Sequence, residues 1–148
     1  MGELYEGDLI RPLGLVTLYF AYAEAELDEL IETLLSRELY DDKKRRLPVG
    51  RKIHYAKKLI KALHADSLDV LTEKLNEALK LFERRNSIIH SCIFSGGRMV
   101  SNRKSVQNQL ITGAELTQLA EDIFRCKDHI NMLRWKFLAP LLDDARNS

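Results

Sequence analysis

Residues 12–40 read PLGLVTLYFAYAEAELDELIETLLSRELY, and the spacing within this stretch decides the fold class. Val16, Phe20, Ala23, Leu27, Leu30, Ile31 and Leu34 recur three or four positions apart, which at 100° per residue draws one apolar stripe along a helix. Pro12 suits the first turn, where its missing N–H costs nothing. A long amphipathic helix is therefore expected from about Pro12 to Tyr40, and a stripe of that kind needs other helices to cover it.

Three further segments supply them. Asp41 to Pro48 is a polar connection, after which Val49, Ile53, Ala56, Leu59, Ile60 and Leu63 share one face of a second helix. Asp66 or Ser67 can cap a third, whose Leu71, Leu75, Ala78, Phe82 and Ile89 keep helical period to about position 90. Thr112-Gly-Ala-Glu115 is a capping box opening the last helix, with a seam through Leu116, Leu119, Ile123, Cys126, Ile130, Leu133 and Phe137. Pro140 ends or kinks it. Between the third and fourth helices, Cys92 to Val100 holds two β-prone arms around Gly96-Gly97, which predicts a small hairpin or an irregular loop. The expected architecture is all-α: an up-and-down bundle of four main helices with one insertion, in a single domain spanning 1–148.

Composition agrees. With 148 residues, 45% hydrophobic and 30% charged, the chain can bury a core as one domain, which excludes a disordered tail or a stapled peptide. Two cysteines, Cys92 and Cys126, are too few for a disulfide scaffold and fit a reducing compartment. The acidic N-terminus resembles no export signal, and the nearly apolar run Leu13 to Ala23 is about half the roughly 20 residues of a membrane span, so a cytoplasmic protein is expected.

The net charge of +1 conceals an uneven distribution. Residues 1–42 carry eleven acids against Arg11 and Arg37, whereas 43–64 carry nine Lys or Arg and no acid. Arg51, His54, Lys57, Lys58 and Lys61 fall together on the polar face of the second helix, with Lys43-Lys44-Arg45-Arg46 just before it. Such a face can follow a nucleic-acid backbone, and Arg51, Lys57, Lys58 and Lys61 are the candidate RNA contacts. It can also be a solvated surface, or be neutralised by the acidic first helix. Tyr40 and Tyr55 lie close enough in sequence to offer a stacking surface or simply to pack.

The chemistry-bearing segment is Glu83-Arg84-Arg85-Asn86-Ser87-Ile88-Ile89-His90. Arg85 and His90 are five residues apart and diverge by about 140° on a helix, so they do not meet within one chain. Asn86 and His90, at i and i+4, can share a hydrogen bond that selects the imidazole tautomer. A second copy packed about a two-fold axis can bring the groups to one cleft. The plainer reading is a helix-end cluster in which Arg and His meet the last carbonyls.

Arg85-Asn86-x-x-x-His90 at the close of an amphipathic helix resembles the R-polar-x-x-x-H motif of the HEPN (higher eukaryotes and prokaryotes nucleotide-binding) superfamily. The likeness extends over most of the chain, through Leu13-Gly14 leading to Phe20 and Glu24 in the first helix and a Thr-capped helix after the His. It implies a four- or five-helix bundle that dimerises to form a composite site, and a metal-independent endoribonuclease without cofactor, in a toxin–antitoxin or defence setting with an antitoxin or other regulatory partner. His90 is then the acid/base, Arg85 the phosphate ligand and Asn86 a supporting group. Glu24, nearer the apolar stripe than Glu26, is the acidic group the first helix contributes. RNA supplies its own 2′-OH nucleophile, so the products are a 2′,3′-cyclic phosphate and a 5′-OH. Relatives silenced by adenylylation carry Tyr two positions after the His; Cys92 stands there, and that control is not implied. The alternative is a non-catalytic HEPN-like module binding nucleotide, nucleic acid or protein, and a third reading is a plain interaction bundle. A zinc set from His90, Cys92, Cys126 and His129 lacks finger spacing, and Cys126 falls on an apolar seam, so no metal is expected.

Overall fold

In the computed structural model, the backbone is described for residues 6–95, 98–99 and 109–147, and side chains for 9–90 and 111–145. The elements are helices α1 (Glu6–Leu35), α2 (Asp42–Arg45), α3 (Val49–Ala62), α4 (Asp69–Ser95), α5 (Gly113–Leu133) and α6 (Ala139–Asn147). A 3₁₀ turn (Asp66–Leu68) leads into α4, and a π-helical stretch (Arg134–Leu138) joins α5 to α6. The fold is an all-α bundle.

The stripe on α1 is buried as its spacing requires, with Val16, Leu30 and Ile31 fully enclosed. α1 packs chiefly along α5, and α4 closes the core from the other side with Leu71, Leu75, Ala78 and Phe82. Thr112 caps α5 as its sequence predicts: its Oγ1 accepts from the Glu115 N–H at 3.1 Å.

Pro12 does not open α1. It lies at the seventh residue, because Leu9 is buried and its packing extends the helix upstream of the one hydrogen bond that proline removes. The helix also stops at Leu35, not Tyr40, where Ser36 adopts φ 58° and turns the chain. From there residues 36–48 double back along α1, with Tyr40 Oη donating to Asp28 at 2.7 Å and Arg45 paired with Glu32. Asp41 caps the short helix α2 within this connection by accepting from the Lys44 N–H at 2.8 Å.

This return path changes the helix directions. Tyr19 meets Phe124 and Glu26 meets Asn131, so α1 and α5 advance together. α4 runs opposite to α5, with Cys126 Sγ against the Lys74 carbonyl, and α3 runs opposite to α4, with Gly50 beside Leu79. Strict up-and-down alternation therefore gives way at one step: α1 and α3 are parallel.

Two seams shift register. α4 buries Ile88 and leaves Ile89 partly exposed. At the end of α5 the seam passes from Leu133 to Leu138, leaving Phe137 half-buried, because the π-helical stretch adds a residue to the turn. Ala139 N–H donates there to the Arg134 carbonyl, five residues back, and Pro140 continues into α6. The insertion differs from its expected form. α4 continues through Cys92 to Ser95, and the two short strands are Arg98–Met99 and Gln109–Leu110, antiparallel with Arg98 opposite Leu110, so the pairing does not close tightly around Gly96-Gly97.

Candidate functional site

α1 presents two carboxylates, two residues apart, to different neighbours. Glu26 faces α5 and is buried, with Oε1 accepting from Arg134 Nε and Oε2 from Asn131 Nδ2, both at 3.0 Å. Glu24 faces α3 and α4. Its side chain is 40% exposed, its nearest cation is Lys52 Nζ at 3.7 Å, and its charge acts on the Arg85 guanidinium. The sequence ranks Glu24 as nearer the apolar stripe, and the structure reverses that ranking by burial. α5 widens the covered face and Arg134 supplies a counter-charge that helical spacing within α1 cannot reveal.

Arg85 projects from α4 onto the ring of Phe20, with its guanidinium carbon 3.9 Å from the ring centre, and Phe20 is backed edge-on by Phe82 at 5.1 Å. One Nη donates to Asn86 Oδ1 at 2.8 Å. Nε is buried and has no hydrogen-bond partner. Burial pushes the guanidinium's pKa down and Glu24 pushes it back up; the group stays cationic at neutral pH. Phe20 and Glu24 thus form a platform and a counter-charge for a cation that keeps donor capacity in hand.

His90 is exposed on α4. Five residues from Arg85, it lies about 7.5 Å further along the axis and points elsewhere, as the spacing predicts. Asn86 Oδ1 is turned to Arg85, not to His90, and among the described residues His90 has no hydrogen-bond partner.

The basic segment divides. Lys52 is 3% exposed and pairs with Asp28 at 2.9 Å as well as with Glu24, and Arg45 pairs with Glu32, so the acidic helix neutralises part of the charge. Lys57, Lys58 and Lys61 line a cleft of about 530 Å³ with His64, Asp66 and Thr72. Thirteen residues separate Thr72 from Arg85 on α4, which places the cleft roughly 20 Å from the guanidinium. Arg51, exposed at the opposite end of α3, is nearer. The four candidate RNA contacts therefore span the length of α3 and do not form one patch around Arg85.

Tyr40 is buried and donates to Asp28, while Lys44 covers the Tyr55 ring at 4.2 Å, so these aromatics pack and offer no open stacking surface. Cys126 sits in the core with its pKa pushed up to about 12 by burial, and its Sγ contacts the Lys74 carbonyl at 3.6 Å. The side chain of Cys92 lies outside the described residues. Among those described, no group of three potential metal ligands occurs and no helix is long and apolar enough to cross a membrane.

Sequence reasoning missed Phe20 as the seat of Arg85, Lys52 as a buried cation and the Glu26–Arg134 pair. The first had a signal, since Phe20 is the aromatic on the edge of the α1 stripe nearest Glu24. The other two depend on which helix becomes the neighbour. Comparison of the chain with family models, curated proteins and solved structures finds no match.

Proposed function

We propose that this protein is a metal-independent endoribonuclease of HEPN type that acts as a homodimer. The observation that carries the proposal is the state of Arg85: a half-buried cation seated on Phe20, held beside Asn86 and Glu24, with an unpartnered Nε on the helix that also exposes His90. With one Nη on Asn86 and Nε buried, the second Nη is the donor left for a phosphodiester, whose non-bridging oxygens accept such charge-assisted bonds and gain charge in the transition state. His90, exposed on α4, accepts the 2′-OH proton. The 2′-oxygen then bonds to phosphorus, the bond to the 5′-oxygen breaks, and the leaving oxygen is protonated by the second His90 of the dimer or by water. Lys57, Lys58 and Lys61 engage the backbone of a strand long enough to reach from their cleft to Arg85, and Arg51 lies along the way. A toxin or defence role with a regulatory partner belongs to the same proposal.

The test is incubation of wild type, His90→Ala and Arg85→Ala with labelled RNA in EDTA, with analysis of product ends. The expected result is a 2′,3′-cyclic phosphate from wild type and turnover reduced by about 10²–10⁴-fold in His90→Ala. Equal activity in wild type and His90→Ala overturns the assignment. Binding of RNA without cleavage by any of the three favours the binding-module alternative, for which the α3–α4 lysine cleft is the supporting observation.

A further inference from the structure

One face of α1 has no partner among the described residues. Gly14, Leu18, Ala21 and Ala25 follow one another at steps of four, three and four residues, the spacing of a helix–helix seam, and all are exposed. Ile10 at 64% and Tyr22 at 47% exposure flank them, and Leu18 itself is 45% exposed. A Cβ built at Gly14 meets nothing within 4 Å. Thr17, at the edge, donates its hydroxyl to the Leu13 carbonyl at 3.0 Å and so shows its methyl. Three turns of apolar helix surface, low enough in profile for close approach, face outward.

The charges at its ends say what covers it. Arg11 lies at one end and Glu29 at the other, and neither has an ion pair among the described residues; Asp28, beside Glu29, is already held by Lys52 and Tyr40. We infer that the occupant is α1 of a second copy, packed antiparallel. Centred between Leu18 and Ala21, that pairing sets Leu18 against Ala21, Gly14 against Ala25, and Arg11 beside Glu29, each contact made twice as a two-fold interface requires. A parallel pairing sets Arg11 against Arg11 and Glu29 against Glu29, which like charges oppose.

The interface has a consequence for the candidate site, and this step rests on the ribonuclease proposal. The two-fold axis of an antiparallel helix pair stands perpendicular to the plane of the helices, so one edge of the seam lies on the same side of the pair in both copies. Glu24 lies on the edge toward α4, beside Phe20 and Arg85. Both Arg85 clusters therefore flank one groove over the α1 pair.

The test is sedimentation of the full chain across micromolar concentrations, with Leu18→Glu, Arg11→Glu and the exchange Arg11→Glu/Glu29→Arg. A wild-type dimer is expected, weakened at least tenfold by Leu18→Glu and by Arg11→Glu and restored by the exchange, with circular dichroism unchanged because the altered side chains are exposed. A monomeric wild type, or a dimer indifferent to Leu18→Glu, overturns the interface; failure of the exchange to restore what Arg11→Glu loses overturns the antiparallel register. Dimerisation through Leu18 without RNA cleavage sinks the ribonuclease reading and leaves the interface standing. Cleavage at the wild-type rate by a Leu18→Glu monomer overturns the shared groove while keeping the ribonuclease.

Discussion

Glu26 and Glu24 sit two residues apart on nearly opposite sides of one helix, each near an arginine from another segment, and their surroundings differ in one respect. Around Glu26 both carboxylate oxygens accept, one hydrogen bond each at 3.0 Å, and carboxylate and guanidinium are buried together. Around Glu24 the account stays open, with Lys52 at 3.7 Å and an Arg85 Nε that bonds to nothing. A buried ion pair whose carboxylate is hydrogen-bonded through both oxygens holds helices in register. A half-buried cation with an unsatisfied donor contributes little to holding them, and its second Nη, which makes no hydrogen bond among the described residues, is the group left for a ligand.

The comparison breaks most decisively at Arg85. Arg85→Ala is expected to lower RNA turnover by at least about 10²-fold, the scale on which a preorganised transition-state donor acts. It should leave the urea midpoint nearly unchanged, because the substitution removes a cation–ring contact and an unsatisfied donor together. A large loss of stability in that variant would make Arg85 structural, like Arg134.

Glu26→Ala tests the other side. It strands Arg134 in the core without a counter-charge, which costs about 3–5 kcal/mol and lowers the melting temperature by roughly 10 °C for a chain of this size. Glu26→Ala/Arg134→Met should recover most of that loss, whereas the single variant should show no specific defect in RNA cleavage beyond its folded fraction. Glu24→Ala is the paired control. Lys52 retains Asp28 at 2.9 Å, so the stability change is expected within about 1 kcal/mol while RNA turnover falls.

The smallest effect concerns Cys126, and it appears only in alkali. Burial raises its thiol from 9.0 to about 12, so above pH 9 the unfolded chain loses this proton and the folded chain keeps it. Its contribution is fully present below pH 9 and is lost as pH rises toward 12. The gap in melting temperature between wild type and Cys126→Ala should therefore narrow over that window, and be constant between pH 6 and 8.

Much of the fold was legible in the sequence because burial in a helix repeats every three or four residues. Val16 through Leu34, Ile53 through Ile60 and Leu116 through Leu133 occupy the core as their spacing requires, and Thr112 caps where its chemistry demands. Local chemistry failed where packing outweighed it: Leu9 carries α1 past Pro12, and the π-helical stretch moves the seam from Phe137 to Leu138. Of the candidate site, Arg85 and His90 diverge along α4 as their separation dictates. Asn86 turns to Arg85 and Lys57, Lys58 and Lys61 stand well away from it, neither of which spacing along one helix encodes.

The sequence by itself determined that four amphipathic helices enclose one core, that acid and base are segregated between the first and second, and that Arg85 and His90 share a helix without meeting, since each is a property of periodicity along one chain. Only the tertiary structure decided that α1 and α3 run parallel, that Glu26 is sealed and Glu24 left open, and that the described helices leave the Gly14–Ala25 face uncovered. Those outcomes depend on which helix lies beside which, and that is fixed by how side chains from distant segments fill a common volume and satisfy one another's charges.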